Sequence, residues 1–198
     1  MGRAAKANAA RRDEWTTSLT ADENVAREAA ENLLRRFIIP SASTGMCYRM
    51  TFLLHLYLTE KSVPSRPVVG WVTDGRDDIA ISHAWVEVNA KKIDLTLGRV
   101  NHESMVTGEV LILDNVVTPG AQHHYFVRKG PEHLDADALM ESQPTSSMLL
   151  AHKNAEHEQM LARASDDGEM RKFLDGAPDG WTYNRLKAVI DGQDPRKA

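Results

Sequence analysis

Apolar residues recur at helical spacing in the first part of the chain. Thr20 to Glu23 has the sequence of a capping box, which predicts that a helix begins there. Apolar positions then recur at three- and four-residue intervals as far as Phe37, and Pro40 is expected to end the helix. A short loop rich in N-cap residue types follows, and it predicts a second helix over residues 45–61.

The pattern changes after Pro64, where alternating apolar and polar runs predict β-strands. Short links separate these runs, so consecutive strands are expected to pair in an antiparallel sheet. Helices followed by closely spaced strands are typical of the α+β class. The sequence predicts about five strands, at residues 68–73, 79–88, 92–97, 109–113 and 123–128.

The chain changes character again at Pro131. Residues 131–198 hold 13 acidic and 8 basic residues, a net charge of −5, and helical spacing returns over 148–161, 169–174 and 183–190. Gly176 and Gly192 are expected to stop two of these helices. We therefore divide the chain into a flexible basic arm (1–19), a core (20–130) and a helical C-terminal segment (131–198).

Composition narrows the class of protein. The 198 residues, 42% of them hydrophobic, suit one globular domain with an appendage, and a net charge of −4 argues against general nucleic-acid binding. The apolar runs are far shorter than the roughly 20 residues of a membrane helix, so no membrane partner is expected. The arm lacks the apolar region of a secretory signal, and one cysteine excludes an intrachain disulfide. We expect a cytoplasmic protein.

The single cysteine belongs to a set of residues that suggests chemistry. Cys47 stands at the predicted start of the second helix, His83 follows 36 residues later, and Asp94 follows 11 residues after His83. A thiol is a poor nucleophile until it ionises, and both a helix N-terminus and a neighbouring imidazolium favour the thiolate. An aspartate that orients the histidine would complete an activated nucleophile.

The register of the hairpin that carries His83 and Asp94 separately tests whether the two side chains lie on the same face of the sheet. A turn on Asn89 and Ala90 places Asp94 on the His83 face and joins the alternate apolar residues of both strands into one face. A three-residue loop would turn Asp94 away and split the apolar set, whereas a four-residue loop keeps the parity. Asn89 suits the first position of a type I′ turn, and Ala90 is poor at the second.

Other residues near this hairpin have competing interpretations. Glu87 lies on the His83 face and is a rival orienting carboxylate, and Trp85 is predicted to form a wall of the cleft or of the core. His123 and His124 suggest a metal, but neighbouring strand residues point to opposite faces and do not readily share one ion. No metal and no organic cofactor is expected.

As a set, these motifs resemble the transglutaminase-like superfamily. The family typically reads G-x-C, a leucine-rich helix, G-I-P-A-R, H-A-W-V-E-V and D-x-T. The resemblance covers roughly residues 40–100 and implies a papain-like α+β fold in which Cys47, His83 and Asp94 form a catalytic triad. The matching stretches are Gly45-Met46-Cys47, Leu53-Leu54, Val63-Pro64-Ser65-Arg66, His83-Ala84-Trp85-Val86-Glu87-Val88 and Asp94-Leu95-Thr96.

Two positions depart from the family pattern. Tyr48 and Arg49 follow the cysteine, where the family often has an acidic or small polar residue. Lys91-Lys92-Ile93 precede the aspartate, where the family often has a tryptophan. Because these positions lie near the substrate, the family's substrate preferences are not carried over.

Three functional hypotheses follow. The first is acyl transfer on a peptide, protein or small amide substrate through a Cys47 thioester, with water making the protein a peptidase or amidase and an amine making it a transglutaminase. The second is an arylamine N-acetyltransferase-like activity, although the chain lacks that family's R-G-G-x-C setting and is short for it. The third is a non-catalytic binding module on the same scaffold. The sequence leaves the oligomeric state open.

Overall fold

A computed structural model describes residues 12–42, 44–99 and 106–197 and has an α+β arrangement of helices around one antiparallel sheet. The longer helices are α1 (Ala21–Leu33), α2 (Cys47–Glu60), α3 (Pro131–Glu141), α4 (Pro144–Arg163), α5 (Asp167–Asp175) and α6 (Tyr183–Ile190). The strands are β1 (Arg66–Thr73), β2 (Ile81–Val88), β3 (Lys91–Asp94), β4 (Val110–Ile112), β5 (Asn115–Thr118) and β6 (His124–Phe126).

The start of α1 has the predicted capping box. The hydroxyl of Thr20 accepts a hydrogen bond from the amide of Glu23 at 3.2 Å, and the Glu23 carboxylate accepts one from the amide of Thr20 at 3.0 Å. The sequence predicted that Pro40 ends this helix. In the structure the helical path continues past α1 and ends at Ser41, one residue after Pro40. The continuation is a π-helical stretch (Leu34–Ile38), a short turn (Ile39–Ser41) and a left-handed residue, Ala42.

Helix α2 is the central element of the core. It packs against β1 and β2 on one side and against α1, α5 and α6 on the others. Because neighbours surround it, it is apolar on most of its circumference rather than along one stripe. Its buried residues are Tyr48, Met50, Thr51, Phe52, Leu53, Leu54, His55, Leu56, Tyr57 and Leu58.

Within the described residues the sheet has six strands, in the order β5-β4-β3-β2-β1-β6. The strand that the sequence analysis missed is β5, which returns along β4 after a tight turn. That turn is formed by Leu113 (φ 54°) and Asp114 (φ 61°), both in the left-handed region. β6 pairs with β1, so the chain crosses from one edge of the sheet to the other after β5.

The hairpin between β2 and β3 has the predicted two-residue turn. Val88 pairs with Lys91, and Asn89 (φ 51°) and Ala90 (φ 62°) both adopt the left-handed conformation of a type I′ turn. This confirms the register in which Asp94 lies on the His83 face.

The turn is held from outside by the N-terminus of α1. The buried carboxylate of Glu23 lies 2.8 Å from the ammonium of Lys91 and accepts a bond from the side-chain amide of Asn89 at 3.3 Å. The hydrogen bond from Lys91, together with that from Thr20, lowers the pKa of Glu23 against the effect of burial. The capping residue of one helix therefore also fixes the hairpin.

The C-terminal segment shares the core with the helices before it. Met170, Leu174, Leu186 and Ile190 belong to the same hydrophobic cluster as the residues of α1 and α2. The predicted helices are present as α4, α5 and α6, and α3 is an additional one that the sequence analysis missed. None of the helices in the described ranges has the length and apolar character needed to cross a bilayer.

The predicted arm lies partly outside the described residues. Residues 12–18 are helical, Leu19 is buried, and Trp15 packs against the core cluster. The stops predicted for the C-terminal helices are confirmed, since Gly176 is the C-cap of α5 and Gly192 (φ 72°) follows α6. The division into arm, core and segment stays a prediction.

Replacing Ala90 by glycine is expected to stabilise the protein. A left-handed conformation costs a residue with a Cβ roughly 1–2 kcal/mol, and the lower flexibility of alanine in the unfolded chain offsets part of that. We expect a net gain of about 0.5–1 kcal/mol in the free energy of unfolding, measured with urea. The control is Ala155→Gly, an exposed position inside α4, where the same change should destabilise by a similar amount. A loss of stability in Ala90→Gly would contradict the prediction.

Candidate functional site

Cys47 is the first residue of α2 and is half-buried. The chain turns sharply at Gly45 (φ 65°), and the N-cap of the helix is Met46, whose side chain makes no capping hydrogen bond. The first backbone N–H groups of a helix have no partner within the helix. They point beyond its N-terminus and favour negative charge nearby. The backbone around Cys47 thus suits both a thiolate and an oxyanion that develops beside it.

His83 and Asp94 form a buried pair on neighbouring strands. Nε2 of His83 lies 2.7 Å from Oδ2 of Asp94, and the two residues are 6% and 1% exposed. The pair connects the first half of β2 to the end of β3, as the predicted hairpin register required. The structure therefore brings together the histidine and the aspartate that the sequence singled out.

The Asp94 carboxylate accepts three further hydrogen bonds. Oδ1 accepts from the backbone amide of Thr96 at 3.0 Å and from its hydroxyl at 3.1 Å, and Oδ2 accepts from the hydroxyl of Tyr125 at 2.9 Å. A buried carboxylate is stable only when its lone pairs are satisfied in this way. The arrangement fixes the orientation of the carboxylate relative to His83.

The electrostatics favour an ion pair. Burial alone would raise the pKa of Asp94, but the charge and hydrogen bond of His83, with smaller effects from Thr96 and Tyr125, lower it. Burial alone would lower the pKa of His83, but the charge and hydrogen bond of Asp94 raise it well above its usual value. At neutral pH the pair is therefore an imidazolium and a carboxylate.

The thiol of Cys47 lies near the same imidazole. Its hydrogen bond and charge also contribute to the raised pKa of His83. Because Nε2 is held by Asp94, Nδ1 is the ring nitrogen available for a second partner. The structure thus joins His83 directly to Asp94, with Cys47 near the imidazole, and a triad of these three residues stays a prediction.

Tyr125 reaches the site from the far side of the sheet. It lies on β6, which β1 and β2 separate from β3, so its bond to Asp94 requires the sheet to curl. Trp85 packs edge-on against the Tyr125 ring, with centroids 5.1 Å apart. Trp85 also lies over Gly70, where an added Cβ would come within 2.7 Å of its ring. Trp85 is therefore a buried wall beside the pair, consistent with its prediction.

Glu87 does not orient the histidine. Its carboxylate accepts from the indole nitrogen of Trp85 at 3.1 Å and pairs with Arg66 at 2.5 Å. Of the two candidate carboxylates, Asp94 is the one bonded to His83.

His123 and His124 do not form part of a metal cluster among the residues described. Nδ1 of His123 bonds to the carbonyl of Ala121 at 3.0 Å, and no group of three or more metal-ligating side chains is found in the described ranges. Both histidines line a cavity of about 490 Å³, and Tyr125 forms part of its wall.

No protein-family model, curated protein or solved structure matches the chain at a significant level. The resemblance to the transglutaminase-like superfamily therefore stays a hypothesis that rests on the motifs and on the geometry around Cys47.

The sequence analysis missed several residues that contact the site. No sequence pattern indicated the role of Tyr125, because its partner Asp94 is 31 residues away in the chain and three strands across the sheet. Tyr48 was identified only as a departure from the family pattern, yet its hydroxyl bonds to Ser82, the residue before His83. His157 of α4 bonds to the same serine.

The buried pair predicts a specific pH dependence of stability. A histidine with a raised pKa in the folded state stabilises fully below its unfolded pKa of about 6.5, and this contribution is lost as the pH rises toward the folded value. In Cys47→Ser, where no thiol titrates over the same range, the urea unfolding free energy should therefore fall between pH 7 and pH 9 by about 1 kcal/mol per pH unit.

The comparison is with the double variant Cys47→Ser/His83→Gln, in which the histidine contribution is absent and the curve over the same range should be flatter. With His83 in place Asp94 stays ionised throughout this range, because the charge and hydrogen bond of His83 lower its pKa against the effect of burial. Parallel curves for the two proteins would mean that His83 is not held as an imidazolium.

Proposed function

We propose that the protein is a cysteine-dependent acyl-transfer enzyme that acts on an amide or peptide substrate through a thioester on Cys47. The observation that carries this proposal is the buried pair of His83 and Asp94, whose imidazole has a raised pKa to which the nearby Cys47 also contributes. An imidazolium next to a thiol at a helix start favours the thiolate, which is the reactive form.

In the first half of the reaction the sulfur of Cys47 attacks the carbonyl carbon of the substrate. A carbon–sulfur bond forms, and the oxyanion faces the first amide groups of α2. The imidazolium of His83 gives its proton to the leaving nitrogen, the carbon–nitrogen bond breaks, and the acyl group stays on Cys47 as a thioester. Asp94 holds the Nε2–H of His83, so that Nδ1 stays directed at the reacting atoms.

In the second half His83 is neutral and accepts a proton from water or from an amine. The activated oxygen or nitrogen attacks the thioester, the carbon–sulfur bond breaks, and the thiolate–imidazolium pair is restored. Water gives hydrolysis and an amine gives acyl transfer. The proposal involves no metal or organic cofactor, and it requires a reduced thiol, so we place the protein in a reducing compartment such as the cytoplasm.

The first test is the rate at which iodoacetamide alkylates Cys47 between pH 5 and pH 9. We expect fast alkylation that persists at pH values where an ordinary cysteine is protonated, and a decrease of roughly tenfold or more at pH 6 in His83→Gln. The matched control is His55→Gln, because His55 is also a buried histidine of the core but bonds to Ser65 and Asp167 instead. That variant should react like the native protein.

The second test is catalysis. A peptide or amide library, offered with and without a fluorescent primary amine, should give thiol-dependent cleavage or amine incorporation that Cys47→Ala abolishes. Activity that survives in Cys47→Ala would overturn the proposal. Equal alkylation rates in the native protein and His83→Gln would also overturn it and would favour the binding-module hypothesis.

A further inference from the structure

The two residues that depart from the family pattern after Cys47 both connect α2 to the C-terminal segment. Arg49 pairs with Asp179, in the loop between α5 and α6, at 2.7 Å. Tyr48 reaches α4 through an intermediate residue, since its hydroxyl lies 2.6 Å from Oγ of Ser82, and that atom lies 2.5 Å from Nδ1 of His157. The segment is therefore bonded to the first turn of the helix that carries the cysteine.

The positions of these contacts in the chain link them to the site. Tyr48 directly follows Cys47, and Ser82 directly precedes His83. Two neighbours at the start of α2 thus lie close to two neighbours on β2: the phenol of Tyr48 bonds to the serine hydroxyl, and Cys47 is near enough to His83 to help raise the pKa of its imidazole. The bond between Tyr48 and Ser82 therefore connects the two stretches of backbone that carry Cys47 and His83.

His157 is itself held firmly in place. It is 3% exposed, and its ring stacks on that of Trp71 with centroids 4.1 Å apart. The ammonium of Lys129 lies 3.8 Å from the centre of the Trp71 ring. Burial, assisted by the charge of Lys129, lowers the pKa of His157 despite the opposing charge of Glu158. In the tautomer that carries its proton on Nε2, a neutral imidazole accepts a hydrogen bond from Ser82 at Nδ1, which leaves the serine oxygen to accept one from Tyr48.

We propose that Tyr48, Ser82 and His157 form a clamp that positions the thiol of Cys47 against the imidazole of His83. Because His157 lies on α4, this helix contributes to the geometry of the site. The three members of the clamp are positioning residues, because they act through Cys47 and His83. The inference rests on the proposed function, since it assigns to the C-terminal segment the alignment of the proposed nucleophile with its proton donor. Small displacements of reacting groups are costly to rates, which is the physical basis of the role.

The test uses Tyr48→Phe, which removes one oxygen and keeps the ring, and Ser82→Ala, which removes the central hydroxyl. The readout is the iodoacetamide rate against pH in the whole 198-residue chain. We expect each variant to slow alkylation at pH 6 by about three- to tenfold and to move the pH profile toward that of His83→Gln. The double variant should be no slower than the slower single variant, because both changes break the same chain of bonds.

The matched control is Tyr57→Phe. Tyr57 also lies on α2, and its hydroxyl bonds to Asp191, which follows α6, at 2.8 Å. This variant loses an equivalent bond between α2 and the C-terminal segment at the other end of the helix, so its alkylation profile should match that of the native protein. Urea unfolding of all variants measures how much stability each one loses.

The direction of the change separates positioning from a merely structural role. Loosening of the fold exposes a half-buried thiol and speeds its alkylation, whereas loss of alignment slows it. If Tyr48→Phe and Ser82→Ala react like Tyr57→Phe while His83→Gln remains slow, the clamp is overturned and the proposed function survives. If His83→Gln is itself as fast as the native protein, the proposed function fails and the clamp fails with it. Should Tyr48→Phe not fold, Ser82→Ala decides alone.

Discussion

The buried pair of His83 and Asp94 is the interaction on which the arrangement of the site depends. Removing an imidazolium and a carboxylate from water is costly, and their attraction compensates only when the remaining polar atoms find partners. Thr96 and Tyr125 supply those partners for the carboxylate. Tyr125 reaches Asp94 only because the sheet curls. The curl therefore supplies one of the hydrogen bonds that keep this aspartate ionised.

The pair depends in turn on the register of one hairpin. A slip of one residue between β2 and β3 would turn Asp94 away from His83 and move apolar residues such as Ile93 out of the core. Two features oppose such a slip. One is the two-residue turn at Asn89 and Ala90, and the other is the Glu23 carboxylate, which binds the side chains of Asn89 and Lys91. The N-terminus of α1 thus stabilises the geometry of a site to which it contributes no side chain.

The sequence predicted the parts of this arrangement that depend on local periodicity. The α+β class, the start of α2 near Cys47 and the alignment of His83 with Asp94 all follow from patterns within short stretches of chain. Strand β5 was missed because the turn before it places an aliphatic residue, Leu113, in a left-handed conformation that gives no sequence signal. Tyr125 was missed because its role follows from a tertiary contact that no local pattern encodes.

The C-terminal segment differs from the core in composition, yet it is not structurally separate from the helix that carries Cys47. Leu174 and Ile190 cover apolar residues of α2 and α1, so removing the segment would expose the faces that define the core. A truncated chain would lose stability and alignment together, and its thiol reactivity would report on both. Tyr48 offers a narrower change, because its hydroxyl connects the site to the segment while its ring belongs to the core. The contribution of the segment to the chemistry is therefore separable from its contribution to the fold only at the level of single hydrogen bonds.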